Sequence, residues 1–456
     1  MGRHWNALLA TAVLVAGAPL IGVGAVGPAT AAPSDGATAS YIVVLRDGVA
    51  RDSIITRQQH SLGIQARQRY SSVLNGYAAQ LTPRQAQALS VDVSVLFVSP
   101  SRRFLTDPPG PGMTNPPCPD VTQCQIVVRA ARRVDAQNSS AYSGNHTGSV
   151  PVNVAVIDTG SEPSTDLNVV GGVDCVGDGR GPVADPNGHG TGVAGVLGAL
   201  DNDAFVVGIA PGARIYSVRV LDQDGFAEDP QVLCGLDWVA ATHRDADPTN
   251  DIAVANMSLG GPGRDDGKCG LKAHDAVHVA ICGLAAAGVT VVAGSANDAA
   301  SVESDIPGGY REVLTSTGMS DGDGTWGGLT PDPCDGYEDD AYAPFSNYAT
   351  SPLSRTHIVS APAVCVSTLA PSSAPPVPGV AVWDGTSFAA PSVSGVVALC
   401  IWSGNCARMS PQQIVQKIVL DANLNTLRYP NYGFYGDPLD PVLRKYYGPL
   451  IRASLY

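Results

Sequence analysis

From residue 152 onward, apolar runs alternate with segments of helical period. VNVAVID, RIYSVRVL, DIAVANMSL and VTVVAGSA are rich in Val, Ile and Ala and end in turn residues, the pattern of strands buried on both faces. HGTGVAGVLGAL, QVLCGLDWVAAT, DAVHVAICGLAAAG and TSFAAPSVSGVVALCIW carry small and apolar residues at helical spacing. Strands alternating with helices predict an α/β domain, a central parallel sheet with helices on both faces. SPQQIVQKIVLDA predicts a late helix, with Ser410 as N-cap, Pro411 at the first helical position and Gln413 completing a capping box. Residues 426–456 are tyrosine-rich and without a clear period, and predict a tail wrapped on the domain.

A different pattern occupies 41–106. YIVVL, GYAAQL and VSVLFVSP predict three strands, with one helix over 52–70 and another opened by Thr82, Pro83 and Gln85. This is a small α+β unit. DPPGPGMTNPP follows, a Pro/Gly linker with no basis for regular structure, which leads into an N-terminal arm reaching 149. At the start, Arg3 and His4 precede an apolar run from Ala7 to Val26 and an Ala29-Thr30-Ala31 site. That is the layout of a signal peptide over 1–31, so a secreted, extracellular protein is expected. No later segment reaches about 18 apolar residues, so no membrane partner is expected.

Composition adds three constraints. Apolar residues make up 44% and charged residues 15%, which supports a well-buried core and argues against disorder. The net charge of −14 disfavours nucleic acid and anionic membranes as partners. Residues 41–106 carry eight Arg and three Asp, a net +5 against −19 for the rest, so the two parts should attract. The ten cysteines of an exported chain predict disulfides. Short spacings pair Cys118 with Cys124, Cys269 with Cys282 and Cys400 with Cys406. Cys334 with Cys365 and Cys175 with Cys234 are left over, and sequence alone does not prove the connectivity. There is no Cys-x-x-Cys to suggest a zinc or redox site.

Three places on the predicted sheet carry groups a core does not need. Asp158 ends the strand VNVAVID, His189 sits between glycines at a helix start, and Ser387 follows Gly-Thr at another. A carboxylate at the C-terminal end of a central strand is where open α/β sheets place their sites. A serine hydroxyl is a poor nucleophile at neutral pH. A histidine can take its proton and return it to the leaving amine, and a carboxylate fixes the histidine tautomer. The order Asp, His, Ser is one of the three in which this hydrolytic triad occurs.

AVIDTG, GHGTGVAG and GTSFAAPSVSG resemble the three signature blocks of the subtilisin-like serine proteases, closest to the proteinase K branch. VVGIAPGARIYSVRVL, NMSLGG, APFSNY and IVSAPAVCVS extend the likeness over about 152–420. Residues 41–106, with YIVVL and GYAAQLT, resemble the family's inhibitor-type propeptide. The resemblance implies a subtilisin-like three-layer catalytic domain over 150–425, preceded by a small ferredoxin-like propeptide. That propeptide packs on the protease, helps it fold, inhibits it and is cut off. The implied activity is endopeptidase cleavage of proteins through an acyl-enzyme, by a monomer that needs no cofactor for the chemistry.

The resemblance also assigns finer roles. The oxyanion hole takes the Ser387 backbone N–H and a side-chain amide. Anchoring on Gly288-Val289-Thr290 puts Asn297 in the amide position, with Ala296 where glycine is usual; anchoring on Ala293-Gly294 puts Ser295 there instead. The substrate strand is expected between Ser258, Leu259, Gly260 and Gly261 on one side and Gly294, Ser295 and Ala296 on the other. Uncharged pocket walls imply an apolar or aromatic residue before the cut, with Ala296 narrowing the pocket. Calcium often braces loops in the family, and LDNDA and GYEDDAY are candidate loops. Three residues depart from the family pattern: Gly192 and Ser392 where histidines are usual, and Ala363 where glycine is usual. They leave open a non-catalytic homologue that binds peptides through the same groove.

Overall fold

The computed structural model describes residues 36–106, 120–372 and 379–456. The expected signal peptide, the DPPGPGMTNPP linker and Cys118 lie outside the described residues. The first module contains β1 (Ala39–Leu45), α1 (Arg51–Leu62), β2 (Ala66–Tyr70), β3 (Gly76–Leu81), α2 (Pro83–Ser90) and β4 (Val95–Pro100). These form an antiparallel sheet in the order β2-β3-β1-β4, the ferredoxin-like arrangement. The short strand β5 (Arg103–Leu105) follows. The single helix expected over 52–70 is two elements. Gly63 ends α1 in the left-handed region (φ 65°), and ARQRY then alternates as an edge strand.

The larger domain holds a short helix α3 (Arg129–Arg133), then β6 (Asn153–Asp158), β7 (Val169–Asp174), α4 (His189–Gly198), β8 (Arg214–Arg219), β9 (Phe226–Glu228), α5 (Asp229–Thr242) and β10 (Val254–Met257). After these come β11 (Gly261–Pro262), α6 (Ala276–Ala287), β12 (Thr290–Gly294), β13 (Asp305–Ile306), β14 (Leu314–Ser320), β15 (Ala341–Tyr342), β16 (Ile358–Pro362), β17 (Val366–Leu369), β18 (Val380–Trp383), α7 (Thr386–Trp402) and α8 (Pro411–Arg428). The main sheet runs β15-β14-β12-β10-β6-β8-β7, with β16 also beside β14. Every pairing is parallel except β14 with β15.

Side-chain alternation explains why its strands read as continuous apolar runs. In β6, Val154 and Val156 pack with α4 and α7, whereas Ala155 and Ile157 pack with α5 and α6. The first module repeats the device. Val43 and Leu45 of β1 face their own helices, while Ile42 and Val44, with Phe97 and Ala78, join the core formed by α5 and α6. Both sheets belong to one unit, Thr38–Tyr456. Beyond α8 the tail pairs Leu450 with Ser360 of β16 and buries Tyr432, Tyr447 and Tyr456.

Four disulfides join Cys175 to Cys234, Cys269 to Cys282, Cys334 to Cys365 and Cys400 to Cys406. Cys124 is also disulfide-bonded. Among the described residues, no helix is long and apolar enough to cross a membrane.

Candidate active site

Asp158 and His189 meet at the carboxyl edge of the sheet, and Ser387 reaches the Ser258 carbonyl, which Thr106 also bonds while its hydroxyl meets His189. Asp158 is the last residue of β6 and His189 the first of α4. Ser387 is the second residue of α7, whose N-cap Gly385 has φ 132°, a conformation costly for other residues. Close approach also demands glycine: a Cβ on Gly190 would lie 2.0 Å from the Gly160 carbonyl oxygen. His189 Nδ1 meets Asp158 Oδ1 at 2.7 Å, and both side chains are fully buried. The Thr159 N–H donates to the same oxygen at 2.7 Å. Trp383 and Phe388 flank the imidazole edge-on, at centroid distances of 5.6 and 5.1 Å.

Asn297 follows the end of β12, and its Oδ1 accepts the Thr386 N–H at 2.9 Å. That bond orients the side-chain amide beside the first turn of α7. Ser295, the other oxyanion candidate, is buried, and its hydroxyl donates to the Asn347 carbonyl at 3.2 Å. Ser258 ties β10 to the helix start: its Oγ donates to the Ser387 carbonyl at 2.6 Å and accepts from Asn256 Nδ2 at 2.9 Å. The Ser387 hydroxyl donates to the Ser258 carbonyl at 3.3 Å.

The module's last strand lies in this cleft. Leu105 and Gly260 exchange backbone hydrogen bonds of 2.9 and 3.0 Å, and β5 pairs with β9 on its other side. Thr106 Oγ1 sits 2.6 Å from His189 Nε2. The expected backbone partner on the second side is therefore corrected: the extended chain pairs with β9 and not with Gly294, Ser295 and Ala296, of which Gly294 and Ala296 line the cavity beside Ser387. Gly294 pairs with Ser316 of β14, and the Ser295 N–H donates to the Ser316 carbonyl at 2.9 Å. Their backbone groups are already committed to the sheet. The sequence signal for β9 is the short alternating FAE after the turn at Gly225.

The expectation of an uncharged pocket is also overturned. A cavity of about 510 Å³ beside Ser387 is lined by Leu259, Pro262, Ala296 and Asn297, and by the carboxylates Asp298 and Asp305. These acids lie outside the segments that the resemblance identified as walls.

The charge contrast between the two parts is realised at few points. Arg102 reaches Asp275 at 2.7 Å and Asp229 at 3.3 Å. Asp237 of α5 accepts the backbone N–H groups of Ser71, Ser72 and Val73. Arg57 and Arg69 pair within their own module, with Asp92 and Asp52.

The two acidic loops differ. In GYEDDAY, Asp340 pairs with the fully buried Arg133 at 2.6 Å, and Asp321 lies near the same guanidinium. Asp321, Asp339 and Asp340 lie close enough together to hold an ion, and Arg133 is a single positive charge against the three. In LDNDA, Asp201 accepts backbone N–H groups of Gly144, Asn145, His146 and Gly148. Next to it, Asn202 Nδ2 donates to fully buried Asp166 at 2.8 Å. Burial pushes the Asp166 carboxyl up to about 7, against lowering bonds from Val206 and Asn202. Among the described residues, Gln125 Oε1 is buried with no hydrogen-bond partner.

Comparison with known proteins shows the family. Residues 151–436 match the Subtilase family and residues 40–106 match Peptidase inhibitor I9. Alkaline elastase YaB of Bacillus sp. (strain YaB) is 28% identical over 395 residues, 85% of this chain and 87% of that protein. M-protease of Shouchella clausii (strain KSM-K16) is 31% identical over 322 residues, 71% of this chain and 68% of that one. Subtilisin BL of Lederbergia lenta is 34% identical over 263 residues, 58% of this chain and 80% of its own.

Proposed function

The chain belongs to the subtilase family as a serine endopeptidase with an inhibitor-type propeptide, and on that premise we propose that Asp158, His189 and Ser387 are its catalytic triad. Ser387 Oγ attacks the peptide carbonyl while His189 Nε2 takes its proton. Asp158 holds Nδ1 and stabilises the imidazolium. The Asn297 amide and the Ser387 backbone N–H receive the oxyanion. His189 then protonates the leaving amine, and water enters by the same route to release the acyl group. The observation that carries this is the seating of Leu105 on Gly260 with Thr106 against His189: an extended chain runs through the cleft past the triad. The same contact supports inhibition by the propeptide, because a substrate needs the place β5 holds. The leader sequence and the disulfides support an exported enzyme acting on proteins.

Fluorophosphonate labelling tests the nucleophile. Labelling of the processed enzyme that disappears in Ser387→Ala is expected; no labelling of the wild type refutes the assignment. Asn297→Ala should lower kcat about 10²–10³-fold with little change in KM. Wild-type-like turnover would remove Asn297 from the oxyanion hole.

We also propose a structural calcium ion beside LDNDA, held by Asp166 and Gln125. Among the described residues, a buried carboxylate without a cation and an amide oxygen without a hydrogen bond fit a hard cation. The ion supplies charge compensation there and takes no part in peptide cleavage.

A further inference from the structure

The cavity beside Ser387 lies where a bound peptide must place one side chain. Side chains alternate along an extended strand. Phe104 is buried, Leu105 points outward and lines the cavity, and Thr106 turns to His189. A peptide continuing this register carries its next side chain on the Leu105 side, beside Ser387. The cavity walls there come from Leu259, Pro262 and Ala296, with two carboxylates between them.

Asp305 begins β13, which pairs with β11 directly after Gly260. Its Oδ1 is so close to Gly260 that a Cβ on that glycine would lie 2.7 Å away. The Gly261 N–H donates to its carboxylate. Asp298 stands exposed at the mouth of the same cavity. Among the described residues, no Lys, Arg or His forms an ion pair with either acid. Two carboxylates thus share one cavity with Ser387, without a cation among the described residues.

We propose that this cavity takes the side chain of a lysine or arginine on the acyl side of the cleaved bond, with Asp305 as the inner carboxylate and Asp298 as the outer one. It rests on the cleft being the peptide-cleaving site proposed above. The aliphatic stem lies along Leu259, Pro262 and Ala296, as long cationic side chains do on apolar surface, and the charged head reaches the acids. A desolvated carboxylate favours the cation and disfavours an acidic side chain at the same position. Bulk apolar residues fill the space but leave both acids unpaired.

The test uses full-length protein after release of its propeptide, and peptides identical except for that residue: Arg, Lys, Phe, Leu or Glu. Arg and Lys should exceed Phe in kcat/KM by about tenfold or more, and Glu should be the poorest. Asp305→Asn should reduce the Arg-to-Phe ratio by about 10–10²-fold, and Asp298→Asn by less because that acid is exposed. Fluorophosphonate labelling is measured on the same samples. Labelled enzyme that prefers Phe or Leu, or an Arg-to-Phe ratio unmoved by Asp305→Asn, overturns the pocket assignment and leaves the triad standing. Absence of both labelling and turnover overturns the triad and the pocket together.

Discussion

Asp305 shows how one half-buried carboxylate sets a measurable pH dependence. Burial pushes its carboxyl up to about 7, the Asp298 charge adds to the rise, and the Gly261 N–H opposes it. Below that pH Asp305 is protonated and a guanidinium loses its inner carboxylate; above it the acid is ionised. The ratio of Arg to Phe cleavage should therefore climb between pH 6 and 8, since groups common to both substrates, His189 included, cancel. A flat ratio in the wild type would rule this out, and Asp305→Asn should flatten it. For folding the sign is opposite. A raised carboxyl contributes stability that is fully present below its unfolded pKa and lost as pH rises through about 7. Ala296, on the same wall, has φ 74°, where an alanine costs about 1–2 kcal/mol relative to a right-handed backbone. Its carbonyl accepts the Asn347 N–H at 3.0 Å, which holds the turn that presents Asn297.

At the scale of elements, the departures around α4 and α7 make a consistent packing. A Cβ on Gly192 would stand 3.1 Å from Phe388 and from the Trp383 indole nitrogen, and 3.2 Å from Thr368. The space of the usual second histidine is thus filled by the aromatics that flank His189. The helix capped by Ser410 and the second helix of the small module were legible, because a capping box is local chemistry. The end of α1 was not, since LGIQARQRY keeps a helix-compatible composition and only the left-handed Gly63 and pairing with β3 make it a strand. The calcium proposal belongs here, since Asp166, Gln125 and Asn202 lie on three separate segments. Chelation should lower the Tm by several degrees, equivalent to about 2–3 kcal/mol at a hundredfold excess of ion over Kd. Asp166→Asn should abolish that dependence; an unchanged Tm on chelation would discard the ion.

At the scale of the whole molecule, the propeptide is a sheet apolar on both faces, one packed on its own helices and one on α5 and α6. Its attachment combines that burial with a few polar anchors, of which Arg102 is the strongest. Asp275 and Tyr310 complete a buried cluster with it, through a Tyr310 hydroxyl bond to Asp275 of 2.7 Å. Arg102→Ala should weaken inhibition by the propeptide about 10²-fold, read as the inhibition constant of added propeptide, while leaving labelling of the free enzyme unchanged. An unchanged constant would place the affinity in the apolar face alone. The tail acts at the same scale: by pairing Leu450 with Ser360 it covers an otherwise open sheet edge.

Continuous apolar runs and helical stretches between them were enough to set out an α/β sheet, and Asp158, His189 and Ser387, each within two residues of a glycine, marked its proposed reactive edge, because burial and tight turns leave local composition signals. Which residues wall the cleft was a different matter. Gly294 and Ser295 look like a free strand end in sequence, yet their backbone groups are spent on β14, and the short β9 takes the partner role. Asp298 and Asp305 read as ordinary loop acids until β13 folds back on β11 and brings a carboxylate against Gly260. Hydrogen-bond partners and desolvation depend on what lies across space, so the charge of the pocket was decided only by the tertiary structure.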